Sequence, residues 1–167
     1  MNADASTNKV GWVVLLLAAW DSRAIVPAWM HSPLDKFGWI ALLLWAGAAI
    51  WLWFQGRSRG VGRTFWIGLS LLFLAGGAAS GLNTLGYVAF ALAVGALPGW
   101  SWKTLGWFFC SLSWMPPLSW AANALPIPML LGLRLALAVL GAVILLFPQV
   151  DRDASDEHPE LGSSAAT

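Results

Sequence analysis

Charge is scarce in this chain. Only 10% of its 167 residues are Asp, Glu, Lys or Arg, against about 25% in a soluble globular domain. The formal net charge is +1 and the basic residues form no long tract, so no field strong enough to hold nucleic acid is expected, and nucleic acid is not an expected partner. A single cysteine, Cys110, excludes an internal disulfide and any CxxC metal pair and leaves the redox compartment open. No His pair, carboxylate cluster, phosphate loop or heme-attachment motif occurs, so neither a metal nor a cofactor is expected.

What is abundant is oil. Hydrophobic residues make up 59% of the sequence, and a chain this short leaves too much surface exposed to hide them all from water. The lipid bilayer is the expected solvent, and the expected fold class is all-α: a polytopic transmembrane helical bundle of about six spans. Thirteen tryptophans fit the same class, because indole is apolar but carries one N–H and so favours the headgroup level.

The spans read off the sequence are about 10–30, 37–55, 64–80, 84–99, 104–121 and 125–147. Residues 1–9 are polar and form a short cytoplasmic segment. The stretch from Val10 to Met30 is read as a retained first span. Its alternative, a signal-peptide h-region, is opposed by Asp4 and by the lack of a small-x-small site before Asp21. Residues 37–55 are an uncharged run bracketed by Trp39, Trp51 and Trp53, and the glycine- and arginine-rich connector 56–63 breaks the pattern.

No charge appears from Thr64 to Trp102; as one helix this stretch would measure about 58 Å, nearly twice the hydrocarbon thickness. It must reverse, and Ser80, Gly81, Asn83 and Thr84 suit the turn. Pro116 and Pro117 should kink or end the fifth span. The acidic residues of 148–167 have the composition of a disordered tail. Basic residues favour the cytoplasmic side of short loops. Six spans place Lys9, Arg57, Arg59, Arg63, Lys103 and Arg152 inside and only Arg23 and Lys36 outside. The expected location is the plasma (inner) membrane, with both termini cytoplasmic.

Arg134 is the charge inside an apolar run, too deep in the last span to snorkel easily. It reads as a structural ion pair or as a ligand contact, and Asp21, near the outer end of span one beside Ser22 and Arg23, is its candidate partner. Other polar residues gather on the same outer half: His31, Asp35 and Lys36 in the first loop, Asn83 in the second, Asn123 in the third. The candidate binding set is Arg134, Asp21, Arg23, His31, Asn83 and Asn123. The bland alternative is that loops are simply polar. Cys110 sits among Phe108, Phe109 and Leu112, surroundings that leave a thiol inert and without a base in reach. Gly77-xxx-Gly81 and the small residues of spans three, four and six permit close helix contact, within one bundle or in a homo-oligomer.

Two stretches, HSPLDKFGWIALLLWAGAAIWLW at 31–53 and KTLGWFFCSLSWMPPLSW at 103–120, resemble the early spans of the exosortase/archaeosortase family, polytopic membrane transpeptidases that process C-terminal sorting signals on the outer face. The family's catalysis rests on a Cys, an Arg and a His in that order. Here Cys110 is followed by Arg134, but the only later histidine is His158 in the acidic tail, so no catalytic residue is carried over. The resemblance implies a divergent or truncated relative that has lost its peptidase activity and binds a membrane-protein partner or a lipid-linked substrate at its outer face. Two alternatives stay open: a small transporter or channel subunit with Arg134 lining the path, and an active membrane cysteine peptidase using Cys110.

Overall fold

A computed structural model describes residues 3–55, 62–99, 101–121 and 125–147. Every regular element among the described residues is helical. Helix α1 (Ala3–Asp21) runs through a 3-10 turn (Ser22–Ala24) into α2 (Ile25–His31). There follow α3 (Gly38–Phe54), α4 (Arg63–Ser80), α5 (Asn83–Gly95), α6 (Trp102–Phe109), α7 (Pro117–Ala121) and α8 (Ile127–Leu146). Arg57, Arg59, Asn123 and the acidic tail lie outside the described residues.

Among the described residues the helices run back and forth in six legs. At one end the start of α4 meets the end of α5, through Arg63 and the Ala96 carbonyl, and the start of α6 meets the end of α8, through Lys103 and the Phe147 carbonyl. At the other end Ser22 reaches the first turn of α5, and Asp35 reaches Arg134 in the second turn of α8. These are called the Arg63 end and the Asp35 end below.

Three helices are long and apolar enough to cross a membrane: Lys9–His31, Arg63–Ser80 and Ile127–Leu146. They match the spans expected at 10–30, 64–80 and 125–147. The others are shorter than expected. At 1.5 Å per residue the 17 residues of α3 and 13 of α5 measure about 26 and 20 Å, below the roughly 30 Å of a hydrocarbon core. Helix α5 stops at Gly95, and residues 96–98 turn before Gly99, whose φ is 83°. The stretch 104–121 is not one helix but α6, a 3-10 turn (Cys110–Ser113) and α7. The outward faces remain apolar: Leu16, Leu43 and Leu72 are 66, 63 and 66% exposed, a distribution that suits hydrocarbon better than water.

The α4–α5 hairpin revises the reading of Gly77-xxx-Gly81. Gly77 is buried against Leu85 and Gly86 of α5, but Gly81 is the turn itself. Its φ of 70° is left-handed, and its N–H donates to the Gly77 carbonyl at 2.8 Å, closing the helix C-terminus. Only one of the two glycines packs helix on helix.

Two groups of buried side chains hold the legs together. In one, Val14, Ala18, Trp66, Ile67, Ala89 and Leu92 join α1, α4 and α5. In the other, α3, α6 and α8 close around three tryptophans. Trp45 and Trp107 stack with ring centroids 4.2 Å apart and planes 10° from parallel. Each also donates its indole N–H to the other's backbone carbonyl, at 3.0 Å from Trp45 and 3.3 Å from Trp107. Trp114 leans on Trp45 at 5.6 Å and meets Phe90 edge-on at 5.8 Å. Trp45, Trp107 and Trp114 are thus core residues, not part of an interfacial belt; among the described residues Trp12, Trp20, Trp39, Trp51 and Trp102 are exposed.

Trp45→Phe keeps a ring in the stack but removes the N–H that serves the Trp107 carbonyl, a loss of about 1 kcal/mol. Trp107→Ala removes both, at about 3–5 kcal/mol. Thermal unfolding in mild detergent should rank them in that order below the unaltered protein.

Candidate functional site: a buried ion pair at a broken helix

The site begins with what proline lacks. In a continuous α-helix the Ser113 carbonyl would accept from the N–H of residue 117, and the Leu112 carbonyl from that of residue 116. Both positions are proline, which has no N–H and whose ring strikes the carbonyl four residues back. The backbone therefore tightens into the 3-10 turn Cys110–Ser113 and restarts at Pro117, where a missing N–H at a helix start costs nothing. Met115 N–H now serves the Leu112 carbonyl at 3.2 Å.

The other freed carbonyls are met by side chains. Arg134 Nη1 donates to the Ser113 carbonyl at 2.9 Å, so the guanidinium makes the bond that Pro117 cannot. Trp29 Nε1 donates to the Trp114 carbonyl at 3.4 Å. Gly38 leaves the room for this, since a Cβ there would collide with the Trp29 indole.

Asp35 arrives from the turn between α2 and α3. Ser32-Pro33-Leu34-Asp35 reverses the chain, with Asp35 N–H donating to the Ser32 carbonyl at 3.1 Å and Gly38 N–H to the Asp35 carbonyl at 2.8 Å. The turn folds inward: Asp35 is only 5% exposed and Arg134 1%. Arg134 Nη2 donates to Asp35 Oδ1 and to Ser119 Oγ, and Ser119 Oγ–H donates to the same Asp35 oxygen at 2.5 Å. Four segments (the 32–37 turn, the 3-10 turn, α7 and α8) therefore meet on one guanidinium. Burying two charges is favourable only when they pair well and their remaining hydrogen-bonding positions are filled; here Arg134 Nη1 and Nη2 are met, while Nε has no partner among the described residues.

Asp21, the expected partner of Arg134, does not meet it. Helix α1 packs on α4 and α5, whereas α8 packs on α3 and α6, so the Asp21 carboxylate lies against Gly86 on the other side of the bundle. Next to it Ser22 Oγ donates to the Gly86 carbonyl at 3.1 Å. Arg23 is exposed, its guanidinium 4.3 Å from the Trp20 ring centroid and bonded to the Trp20 carbonyl at 3.1 Å. His31 is exposed with Nδ1 2.9 Å from the Pro27 carbonyl, and Asn83 is exposed at the start of α5. Of the five candidate residues that are described, only Arg134 belongs to the buried cluster; Asn123 lies outside the described residues.

Asp35, named among the outer polar residues, was not expected to pair with Arg134, and Ser119 and the Ser113 carbonyl were missed. Pro117 four residues after Ser113 was the available signal for the carbonyl, and Asp35 beside a turn-forming Pro33 was the available signal for the acid.

Cys110 is buried against Gly141, two turns along α8 from Arg134 and beside Trp45. Among the described residues no three His, Cys, Asp or Glu side chains gather to hold a metal. No family model matches the chain, and neither a curated protein nor a solved structure shows significant similarity to it.

Arg134→Met leaves Asp35 buried without its cation, and a loss of about 3–5 kcal/mol is expected. Asp35→Leu combined with Arg134→Met should recover much of it. A double-mutant cycle by detergent melting checks the coupling; purely additive losses would show that the two side chains do not interact.

Proposed function

We propose that this chain is a multi-pass protein of the plasma (inner) membrane, crossing six times with both termini cytoplasmic. It acts without catalysis, as a bundle that binds a membrane partner or lipid-linked substrate at its Asp35 end. One observation carries this reading: Arg134, the charge buried deepest, bonds to Ser113, Ser119 and Asp35 of the bundle itself. A transporter or peptidase would need that guanidinium to face a path or a substrate, whereas here it is 1% exposed and its role is to lock the fold. Cys110 is buried and no hydrogen bond joins it to a base among the described residues, which favours the non-catalytic form of an exosortase-like protein over the active one.

The membrane assignment is supported by the three long apolar helices. The short legs α3 and α5 cross by local thinning of the bilayer around them. The orientation rests on the basic residues. Lys9, Arg63 and Lys103 stand at the Arg63 end, and retention of cations in the cytoplasm puts that end inside.

On a Cys110→Ser background, His31→Cys should react with a membrane-impermeant maleimide on intact cells, and Arg59→Cys only after permeabilisation. A photo-crosslinking residue at position 31 or 83 should capture partners that one at position 55 does not, and Cys110→Ala should leave that capture unchanged. Labelling of position 59 from outside would overturn the topology, and loss of capture with Cys110→Ala would overturn the non-catalytic reading.

A further inference from the structure

At the Asp35 end, a crevice of about 250 Å³ opens between the α1–α2 leg, α3 and α5. Its lining is oily and includes Ile25, Val26, Leu42 and Phe90. Two polar features interrupt the oil. The first is Trp114, which lines the crevice, is 1% exposed, and has an indole N–H with no acceptor among the described residues. A buried donor left unmet is costly, so an acceptor is expected there.

The second is Arg23, also in the lining, whose guanidinium meets no carboxylate among the described residues and bonds only to the Trp20 carbonyl. Because Ser22 reaches the first turn of α5, Arg23 stands at the level of the α4–α5 turn, where the hairpin ends. That is headgroup depth for a bundle in a bilayer. Past Val26 and Trp29 the groove continues into a second, more open hollow of about 400 Å³ beside Lys36 and Trp39. Lys36 likewise meets no carboxylate among the described residues. An oily crevice with two exposed cations along it, neither facing a carboxylate among the described residues, calls for one kind of occupant: a hydrocarbon chain joined to a negatively charged head.

We propose that this groove holds an anionic glycerophospholipid from the surrounding leaflet, with an acyl chain in the crevice lined by Leu42, Phe90 and Trp114. Its phosphate lies at Arg23, and Lys36 adds a second positive charge along the groove. The assignment rests on the membrane reading above and deepens it by naming the occupant's class. A zwitterionic lipid has the same chains and the same phosphate, so charge is what the two cations select.

The test is native mass spectrometry of the full chain, delipidated in detergent and re-supplied with phosphatidylglycerol or phosphatidylcholine. The unaltered protein should retain one phosphatidylglycerol, favoured over phosphatidylcholine by about tenfold or more, the scale expected of two cations near a headgroup. Arg23→Gln with Lys36→Gln should lower phosphatidylglycerol retention to the phosphatidylcholine level. Ala19→Phe, placed in the crevice lining, should expel both lipids while leaving the melting temperature unchanged. Lys9→Gln, a cation on the same leg at the Arg63 end, should change nothing. Equal retention of the two lipids, or retention of phosphatidylglycerol unaffected by the double substitution, would overturn the proposal while leaving the membrane reading intact. Failure of the membrane reading would look different, because the protein would then stay monodisperse without detergent and retain neither lipid.

Discussion

The absence of one N–H, that of Pro117, organises the Asp35 end of this protein. A carbonyl left unmet in an apolar surrounding is expensive, and the chain answers with the guanidinium of Arg134. That answer creates a second requirement, since a buried cation needs an anion, and Asp35 is drawn inward on its turn to supply one. Ser119 then bridges the pair from the far side of the break. A proline in one leg thus accounts for an arginine in another and for the inward course of a loop between two more.

The same economy recurs wherever the backbone is interrupted or exposed. Trp29 serves the Trp114 carbonyl, and Trp45 the Trp107 carbonyl where α6 gives way to the 3-10 turn. Arg63 reaches the Ala96 carbonyl at 3.2 Å, past the end of α5, and lies 5.0 Å from the Trp53 ring centroid; Lys103 reaches the Phe147 carbonyl at the end of α8. Cations at helix C-termini also suit the negative end of the helix dipole. Mid-helix, Ser70 donates to the Ala89 carbonyl at 2.7 Å, tying α4 to α5. Among the described residues, several of the scarce polar side chains bond to the chain's own carbonyls.

Helices stood out in the sequence wherever hydrophobic runs were long and their ends were marked by Gly, Pro or Arg, and α4 and α8 fell within two residues of expectation at each end. Arg134 was conspicuous because a single charge in a run of Leu and Ala has no other explanation. Its partner was hidden by context: Asp35 sits among Ser32, Pro33 and Lys36 and reads as an ordinary solvated loop, whereas Asp21 lies inside an apolar stretch. Which of the two meets Arg134 depends on which legs are neighbours, and hydropathy carries no record of that. The short α5 and the break in α6–α7 were only partly legible, since the prolines announced an interruption while the hydrophobicity ran on through it. Tryptophan misled in a similar way, because a ring suited to the interface can also be a core residue when its N–H finds a carbonyl.

The functional proposal rests on this division of labour: the buried charge holds four segments together, while the cations Arg23 and Lys36 are exposed at the same end. The central claim is that Arg134 donates to the Ser113 carbonyl, and isotope-edited infrared spectroscopy of the protein in lipid, with Ser113 carrying a ¹³C=¹⁸O label, tests it most directly. The account predicts a Ser113 amide I band at a hydrogen-bonded frequency that moves to higher wavenumber in Arg134→Met and is unaffected by Lys9→Gln. A band at the free-carbonyl position in the unaltered protein, or one that does not move when Arg134 is replaced, would contradict it.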